Sequence, residues 1–191
     1  MKKKNLVKKE FAITLKELSK SQPLSSITVS ALAKRCGISR GTFYYHFIDI
    51  YDLINWVFDM EIAEPLQTHI LSNSRGHWNG ITKYCLQKMY DSKEFYCQAV
   101  RMDGQNNLRD YMQVKNLESW NMLIGKYLSD THQIYDSDRL NFMTKFTSQA
   151  VCNMIIEWAI NGMQTPVELM AKMDDVATKG IYGIIDSVKT I

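Results

Sequence analysis

The sequence has little of what marks several large classes of protein. Only four cysteines occur in 191 residues, and no two of them form a C-x-x-C pair. Neither a disulfide framework nor a zinc site is therefore indicated, and a reducing cytoplasm fits. The basic N-terminus contains no apolar stretch long enough for a signal peptide, and no apolar run approaches the ~20 residues that cross a bilayer. We expect a cytoplasmic protein with no membrane segment.

Motifs of catalysis are also missing. The four histidines are widely spaced, without an H-x-x-x-H pair, at His46, His69, His77 and His132. No glycine-rich phosphate loop, nucleophile elbow or paired-acid constellation occurs. We therefore expect no enzymatic activity, no metal and no cofactor.

Positive charge is concentrated at one end of the chain. Residues 1–48 hold ten Lys or Arg against two Glu, a net charge of +8, whereas the rest of the chain holds 13 basic and 18 acidic residues, a net charge of −5. A basic N-terminal region on an acidic remainder is the expected electrostatic footprint of DNA binding. A solubilising lysine run would explain only the first few lysines.

The stretch Thr28–Phe47 predicts two short helices joined by a tight turn. Thr28 and Ser39 are suitable N-caps for the two helices. Gly37 supplies the left-handed backbone freedom that a turn between helices needs. This is the pattern of a helix-turn-helix, whose second helix lies in the major groove of DNA.

The second of these helices has two unlike faces. Phe43 and Phe47 are four residues apart, so they lie on one face and should be buried. Gly41 and Tyr45 project on the opposite face, between Thr42 and Tyr44. A glycine, a hydroxyl and two phenols suit a helix pressed against DNA, where tyrosine hydroxyls donate to phosphates. The alternative is that the two tyrosines are core or interface aromatics.

The segment S-R-G-T-F-Y-Y-H-F, preceded by I-T-V-S-A-L-A-K-R-C-G-I, resembles the DNA-binding signature of the TetR/AcrR family of bacterial regulators. By motif position, the resemblance implies DNA contacts at Thr28, Arg40, Gly41, Thr42, Tyr44, Tyr45 and His46. One departure stands out. The family usually has a lysine followed by an acid at the start of the next helix, where this sequence has Ile50 and Tyr51, which puts a usual phosphate contact in doubt.

The resemblance implies an all-α fold of about nine helices in two parts. Residues 1–48 would form a three-helix DNA-binding head, and residues 49–191 a helical body for regulation and dimerisation. The implied function is a sequence-specific regulator, most often a repressor, that binds palindromic operator DNA as a homodimer. Alternatives are an activator, a regulator controlled by a protein co-regulator, a non-specific DNA-binding protein, or a helical ligand carrier or enzyme with a basic face.

The first helix of the body and its last two helices each carry a sequence feature that predicts structure. A fourth helix, capped by Asp49, should be kinked or split at Pro65.

The last two predicted helices, residues 136–161 and 166–189, carry apolar or small residues at spacings of three and four. In the first of them these are Leu140, Met143, Thr147, Ala150, Met154 and Trp158. As the resemblance implies, we expect the two helices to form half of a four-helix dimer interface; the alternative is an internal hairpin.

The body is also rich in methionine and aromatic residues. Family members often enclose a small-molecule effector in this part of the chain. Aromatic residues at helical spacing fit an ordinary hydrophobic core equally well. The expected pocket residues are Trp78, Tyr84, Tyr96, Trp120 and Glu157, the last as a buried charge on an apolar helix.

The segments K-E-F-Y-C-Q-A-V and I-I-E-W-A-I-N-G-M-Q-T-P are similar to a branch that includes dihydroxyacetone kinase operon regulators. Some members of that branch act with a protein co-regulator instead of a small ligand.

Overall fold

The computed structural model describes residues 2–72, 79–131 and 136–173, together with Val176, Gly180 and Gly183. Within these ranges every regular element is a helix, which confirms the all-α fold class. The helices are, in chain order, α1 (Lys2–Leu18), α2 (Val29–Cys36), α3 (Arg40–His46), α4 (Ile50–Phe58), α5 (Glu64–Ser72), α6 (Asn79–Asp91), α7 (Lys93–Ala99), α8 (Leu108–Thr131), α9 (Ser137–Ile160) and α10 (residues 167–173).

Local signals set the ends of the body helices. Asp49 Oδ1 accepts from the backbone N–H of Asp52 at 2.8 Å, so the predicted cap of α4 is confirmed. Asp136 Oδ1 accepts from two backbone N–H groups at the start of α9 in the same way. At the other end of α9, Gly162 adopts a φ of 72°. That left-handed conformation suits glycine and turns the chain towards α10.

The connection between α4 and α5 is a wide helical turn. Residues Asp59–Ala63 form a π-helical turn, closed by a hydrogen bond from the backbone N–H of Glu64 to the carbonyl of Asp59. Pro65 follows directly; it has no N–H to donate, and its ring would press on the carbonyl four residues earlier in a regular helix. The predicted break at Pro65 is thus present, as a widened turn and not as a loop.

One continuous hydrophobic core joins the N-terminal helices to the rest of the chain. Phe11 and Leu15 of α1 and Phe43 of α3 are fully buried, and the same cluster continues through Leu53 of α4 to Tyr96 of α7. Helices α8 and α9 pack along each other, and α5 and α6 pack beside them. Among the described residues, no helix combines the length and apolarity needed to span a bilayer.

Candidate DNA-binding surface and the faces of the body

The turn between α2 and α3 has the predicted geometry. Thr28 Oγ1 accepts from the N–H of Ala31 at 3.2 Å, and Ser39 Oγ accepts from the N–H of Thr42 at 3.0 Å. Gly37 ends α2 with a φ of 67°. Both predicted caps and the predicted turn glycine are therefore confirmed, and together they fix the start of α3 relative to α2.

The inner face of α3 is held by aromatic packing. Phe43 is 0% exposed and Phe47 is 3% exposed. The ring of Phe11 meets both edge-on, with centroid distances of 5.2 Å to Phe43 and 6.4 Å to Phe47. These contacts tie α3 to α1, so the direction in which α3 points its outer face is set by the core.

The outer face of α3 is open to solvent. Tyr45 is 71% exposed and Tyr44 is 53% exposed, while Arg40 and Gly41 are exposed beside them. A Cβ built on Gly41 would meet only Ser39 Oγ, at 3.7 Å. The chain itself therefore does not need glycine at this helical position, where glycine costs about 1 kcal/mol relative to alanine. A surface that approaches α3 closely would need it.

The remaining predicted contact residues lie at the ends of this surface. Thr28 is exposed at the start of α2. Thr42 is half-buried, with its hydroxyl 2.8 Å from that of Ser39. His46 is half-buried next to the ring of Tyr45, at a centroid distance of 5.0 Å. The structure thus groups the predicted residues around α3 and the start of α2, with Thr42 and His46 the least accessible.

The first turn of α4 serves contacts within the chain. Ile50 is only 9% exposed, and Tyr51 Oη donates to the carbonyl of Asp103 at 2.7 Å. Asp52 Oδ2 accepts from the N–H of Ile48 at 2.9 Å. The positions at which the resemblance expects a lysine and an acid are therefore occupied by a core residue and an intramolecular donor. Ile48, which sequence reasoning missed, is 79% exposed between α3 and α4.

Two sets of polar contacts join the N-terminal helices to the body, and the sequence analysis predicted neither of them. The side chain of Gln98 accepts from the N–H of Leu24 and donates to the carbonyl of Ser19, both at 2.7 Å. The carboxylate of Glu61 accepts hydrogen bonds from Lys16 Nζ at 2.6 Å and from Tyr96 Oη at 2.9 Å. Burial, and then the charge of Glu61, raise the pKa of Tyr96 well above its usual value, so its phenol remains a donor.

We expect Gln98→Ala to lower the free energy of unfolding by about 1–3 kcal/mol, because it leaves two partly buried backbone groups without their partner. Gln98→Glu is the matched variant: it can still accept from Leu24 but cannot donate to Ser19. Urea denaturation followed by circular dichroism measures both. The glutamate variant should fall between wild type and alanine at pH 7, and equal stability of all three proteins would contradict the role of this link.

The body contains a small, partly open cavity of about 70 Å³ between α5, α6, α8 and α9. This is well below the about 300–1,000 Å³ of a usual ligand pocket. Its walls are mainly apolar and include Trp120, one of the expected pocket residues, together with Cys85 and Cys152. Burial raises the pKa of Cys152 to about 12, which keeps its thiol neutral.

The other predicted pocket residues lie elsewhere. Tyr96 is fully buried but bonds to Glu61, away from the cavity lining, and Tyr84 is 43% exposed. The expectation of a buried charge at Glu157 is wrong: this residue is exposed on α9. Its neighbours Ile156 and Trp158 take the inward positions. Trp78 lies outside the described residues.

The outer face of α9 carries exposed apolar side chains among polar ones. Phe142 and Phe146 are 66% and 60% exposed, and their rings stack at a centroid distance of 6.3 Å. Met154 continues the face on α9 and Met173 on α10. Of the residues at the predicted spacing on α9, Thr147 and Trp158 point into the chain's own core, with exposures of 6% and 5%.

Comparisons with known proteins agree with this architecture. A family model described as bacterial regulatory proteins of the tetR family matches residues 15–56, and a second, for the transcriptional regulator C-terminal region (TetR_C_8), matches residues 76–179. The chain is 26% identical over 166 residues to the HTH-type dhaKLM operon transcriptional activator DhaS of Lactococcus lactis, covering 85% of this chain and 84% of that protein.

Solved structures show the same fold. The dihydroxyacetone kinase operon activator DhaS superposes with a TM-score of 0.71 at 19% identity, over 96% of this chain and 98% of that one. NalD, the secondary repressor of the MexAB-OprM multidrug efflux pump in Pseudomonas aeruginosa, superposes with a TM-score of 0.61 at 12% identity, over 94% and 98%.

Proposed function

The chain belongs to the TetR family of transcriptional regulators, and from that premise we propose that it binds palindromic operator DNA as a cytoplasmic homodimer. The observation that carries the proposal is the outer face of α3, where exposed tyrosines flank a glycine that the fold itself does not require. Residues 1–48, with a net charge of +8 from ten bases and two acids, form the DNA-binding head. Residues 49–191 form the regulatory and dimerisation body.

Each proposed DNA contact has a physical role. Gly41 lets the backbone approach the groove, Thr42 reaches a base edge or a thymine methyl, and Arg40 reaches guanine or the phosphate backbone. The hydroxyls of Tyr44 and Tyr45 donate to phosphates. Thr28 and His46 complete the set at its two ends. Because Ile50 and Tyr51 are engaged within the chain, phosphate contacts come from α3 and from the basic residues of the head.

Two-fold pairing follows from the size of α3. One seven-residue helix reads too few base pairs for specificity, so two copies must bind half-sites one helical turn apart, about 34–36 Å. The exposed apolar face of α9 and α10 is the surface we assign to this pairing. It corresponds to the interface expected from helices 136–161 and 166–189.

The direction of regulation has two candidates. Repression is the usual outcome when a dimer of this family occupies an operator. Activation is favoured by the similarity to a protein named as an operon activator and by the small volume of the cavity in the body, which suits control by a protein co-regulator better than control by a small-molecule effector. Reporter expression from the bound promoter distinguishes them: deletion of the gene raises expression for a repressor and lowers it for an activator.

The test of DNA binding is footprinting on the DNA upstream of the protein's own gene at physiological salt. We expect a short two-fold symmetric footprint. Tyr45→Ala should weaken it about 30-fold or more, since each of two helices loses about 1 kcal/mol. Tyr90→Ala, a tyrosine 41% exposed on α6, is the matched control and should bind like wild type. Equal protection of unrelated DNA would contradict sequence-specific binding.

A further inference from the structure

A second feature of the chain lies outside the DNA-binding surface. An open groove of about 510 Å³ runs between α4 and the beginning of α8. We call it the acidic groove, because its lining includes the carboxylates of Asp49, Asp52, Asp59 and Asp110. Among the described residues that line it, none is Lys or Arg. Two lysines outside the lining lie near its aromatic residues. Lys115 of α8 is ion-paired with Glu118 at 3.0 Å and lies 5.6 Å from the centroid of the Tyr111 ring, and Lys8 of α1 lies 5.0 Å from the centroid of the Trp56 ring.

The wall formed by α4 contains acceptors that the chain itself does not satisfy. Asn55 is 6% exposed; its Nδ2 donates to the carbonyl of Asn106 at 3.0 Å, while its Oδ1 has no hydrogen-bond partner among the described residues. Asp59 Oδ2 accepts from Tyr111 Oη at 2.5 Å, and its Oδ1 is likewise buried without a partner there. An unpaired buried acceptor costs about 1–3 kcal/mol, so a donor that reaches it gains more than one at the open surface.

The acids are spaced along one face of α4. Asp52 and Asp59 are seven residues apart, which places them about 10 Å apart along the helix axis. Between them, at helical spacing, are Asn55 and Trp56, and the opposite wall carries Tyr111 and the exposed Val114. The groove thus has negative charge towards both ends and aromatic or aliphatic surface in the middle.

We propose that the acidic groove binds a linear aliphatic polyamine, with one ammonium group at Asp52, another at Asp59 and the methylene chain along Trp56. Ammonium groups are donors only, which matches a site built of carboxylates and an amide oxygen. A compact metal ion fits less well, because within the described ranges no three His, Cys, Asp or Glu side chains are grouped to hold one.

The test is calorimetric titration of the full chain with spermidine at low ionic strength, without DNA. We expect one site per protomer. Asp59→Asn keeps an acceptor for Tyr111 but removes the charge, and it should weaken binding by about tenfold or more. Asp91→Asn, an exposed aspartate at the end of α6, is the matched control and should bind within about twofold of wild type. Circular dichroism confirms that both variants are folded.

Several results would overturn the assignment. These are the absence of saturable binding, an unchanged affinity in Asp59→Asn, equally tight binding of butylamine or Mg²⁺, or tighter binding of a trilysine peptide, which would assign the groove to a protein partner. Because no DNA is present in the titration, its result is independent of the footprinting experiment, and either proposal can fail without the other.

Discussion

Replacing Phe43 with alanine is expected to lower the free energy of unfolding by about 3–5 kcal/mol. Phe43 is fully buried and packs edge-on against Phe11, with a centroid distance of 5.2 Å, and against Phe47 at 5.5 Å. Alanine would leave a ring-sized cavity where α1 and α3 meet. Because this cluster is continuous with the core of the body, the loss should appear in the global transition.

Urea denaturation followed by tryptophan fluorescence and circular dichroism measures this change. Tyr45→Ala is the matched control, two residues further along α3 but 71% exposed, and it should shift stability by no more than about 0.5 kcal/mol. The pair separates the two faces of one helix, since the first variant loses stability and the second loses DNA binding. A similar unfolding midpoint for Phe43→Ala and wild type would refute the proposed role of this ring.

The second large effect is expected at the apolar face of α9. The double variant Phe142→Asp/Phe146→Asp should be monomeric at micromolar concentration, with the dissociation constant of the dimer raised about 1,000-fold or more. Two-fold symmetry places four of these rings in the interface, and a desolvated aromatic anchor contributes about 1–2 kcal/mol or more. The added carboxylates would also be buried against each other.

Sedimentation equilibrium measures the oligomeric state directly. Leu71→Asp is the matched control: Leu71 is 63% exposed on α5, outside the proposed interface, and this variant should remain dimeric. The monomeric double variant should also lose the symmetric footprint while keeping its helical content. Persistence of the dimer in the double variant would show that the chain pairs through another surface.

Features encoded by neighbouring residues could be predicted from the sequence. The caps at Thr28, Ser39 and Asp49 each require only a side chain and a backbone N–H three residues away. The burial of Phe43 and Phe47 follows from their spacing of four on a single helix. Such features depend on little beyond the local backbone, so the DNA-binding head is the most predictable part of the chain.

The orientation of α9 could not be derived in the same way. Its apolar residues cover more than one face, because one side packs on α8 and another remains exposed. Spacing alone cannot decide which side meets the chain's own core, so it groups the buried Thr147 and Trp158 with the exposed Met154. The acidic groove and the Gln98 link escaped prediction for a related reason, since each joins residues more than 50 positions apart.

The two hydrogen bonds of Gln98 also affect how the protein is made. Leu24 precedes its partner by 74 residues, so at about 5–20 residues per second the ribosome adds Gln98 roughly 4–15 seconds after Leu24. During that interval the backbone groups at Ser19 and Leu24 have only water as a partner. Until α7 emerges, α4 and the ion pair of Lys16 with Glu61 hold the head, so a truncated chain that ends before α7 would lack the second link, through Gln98, that orients the recognition helix.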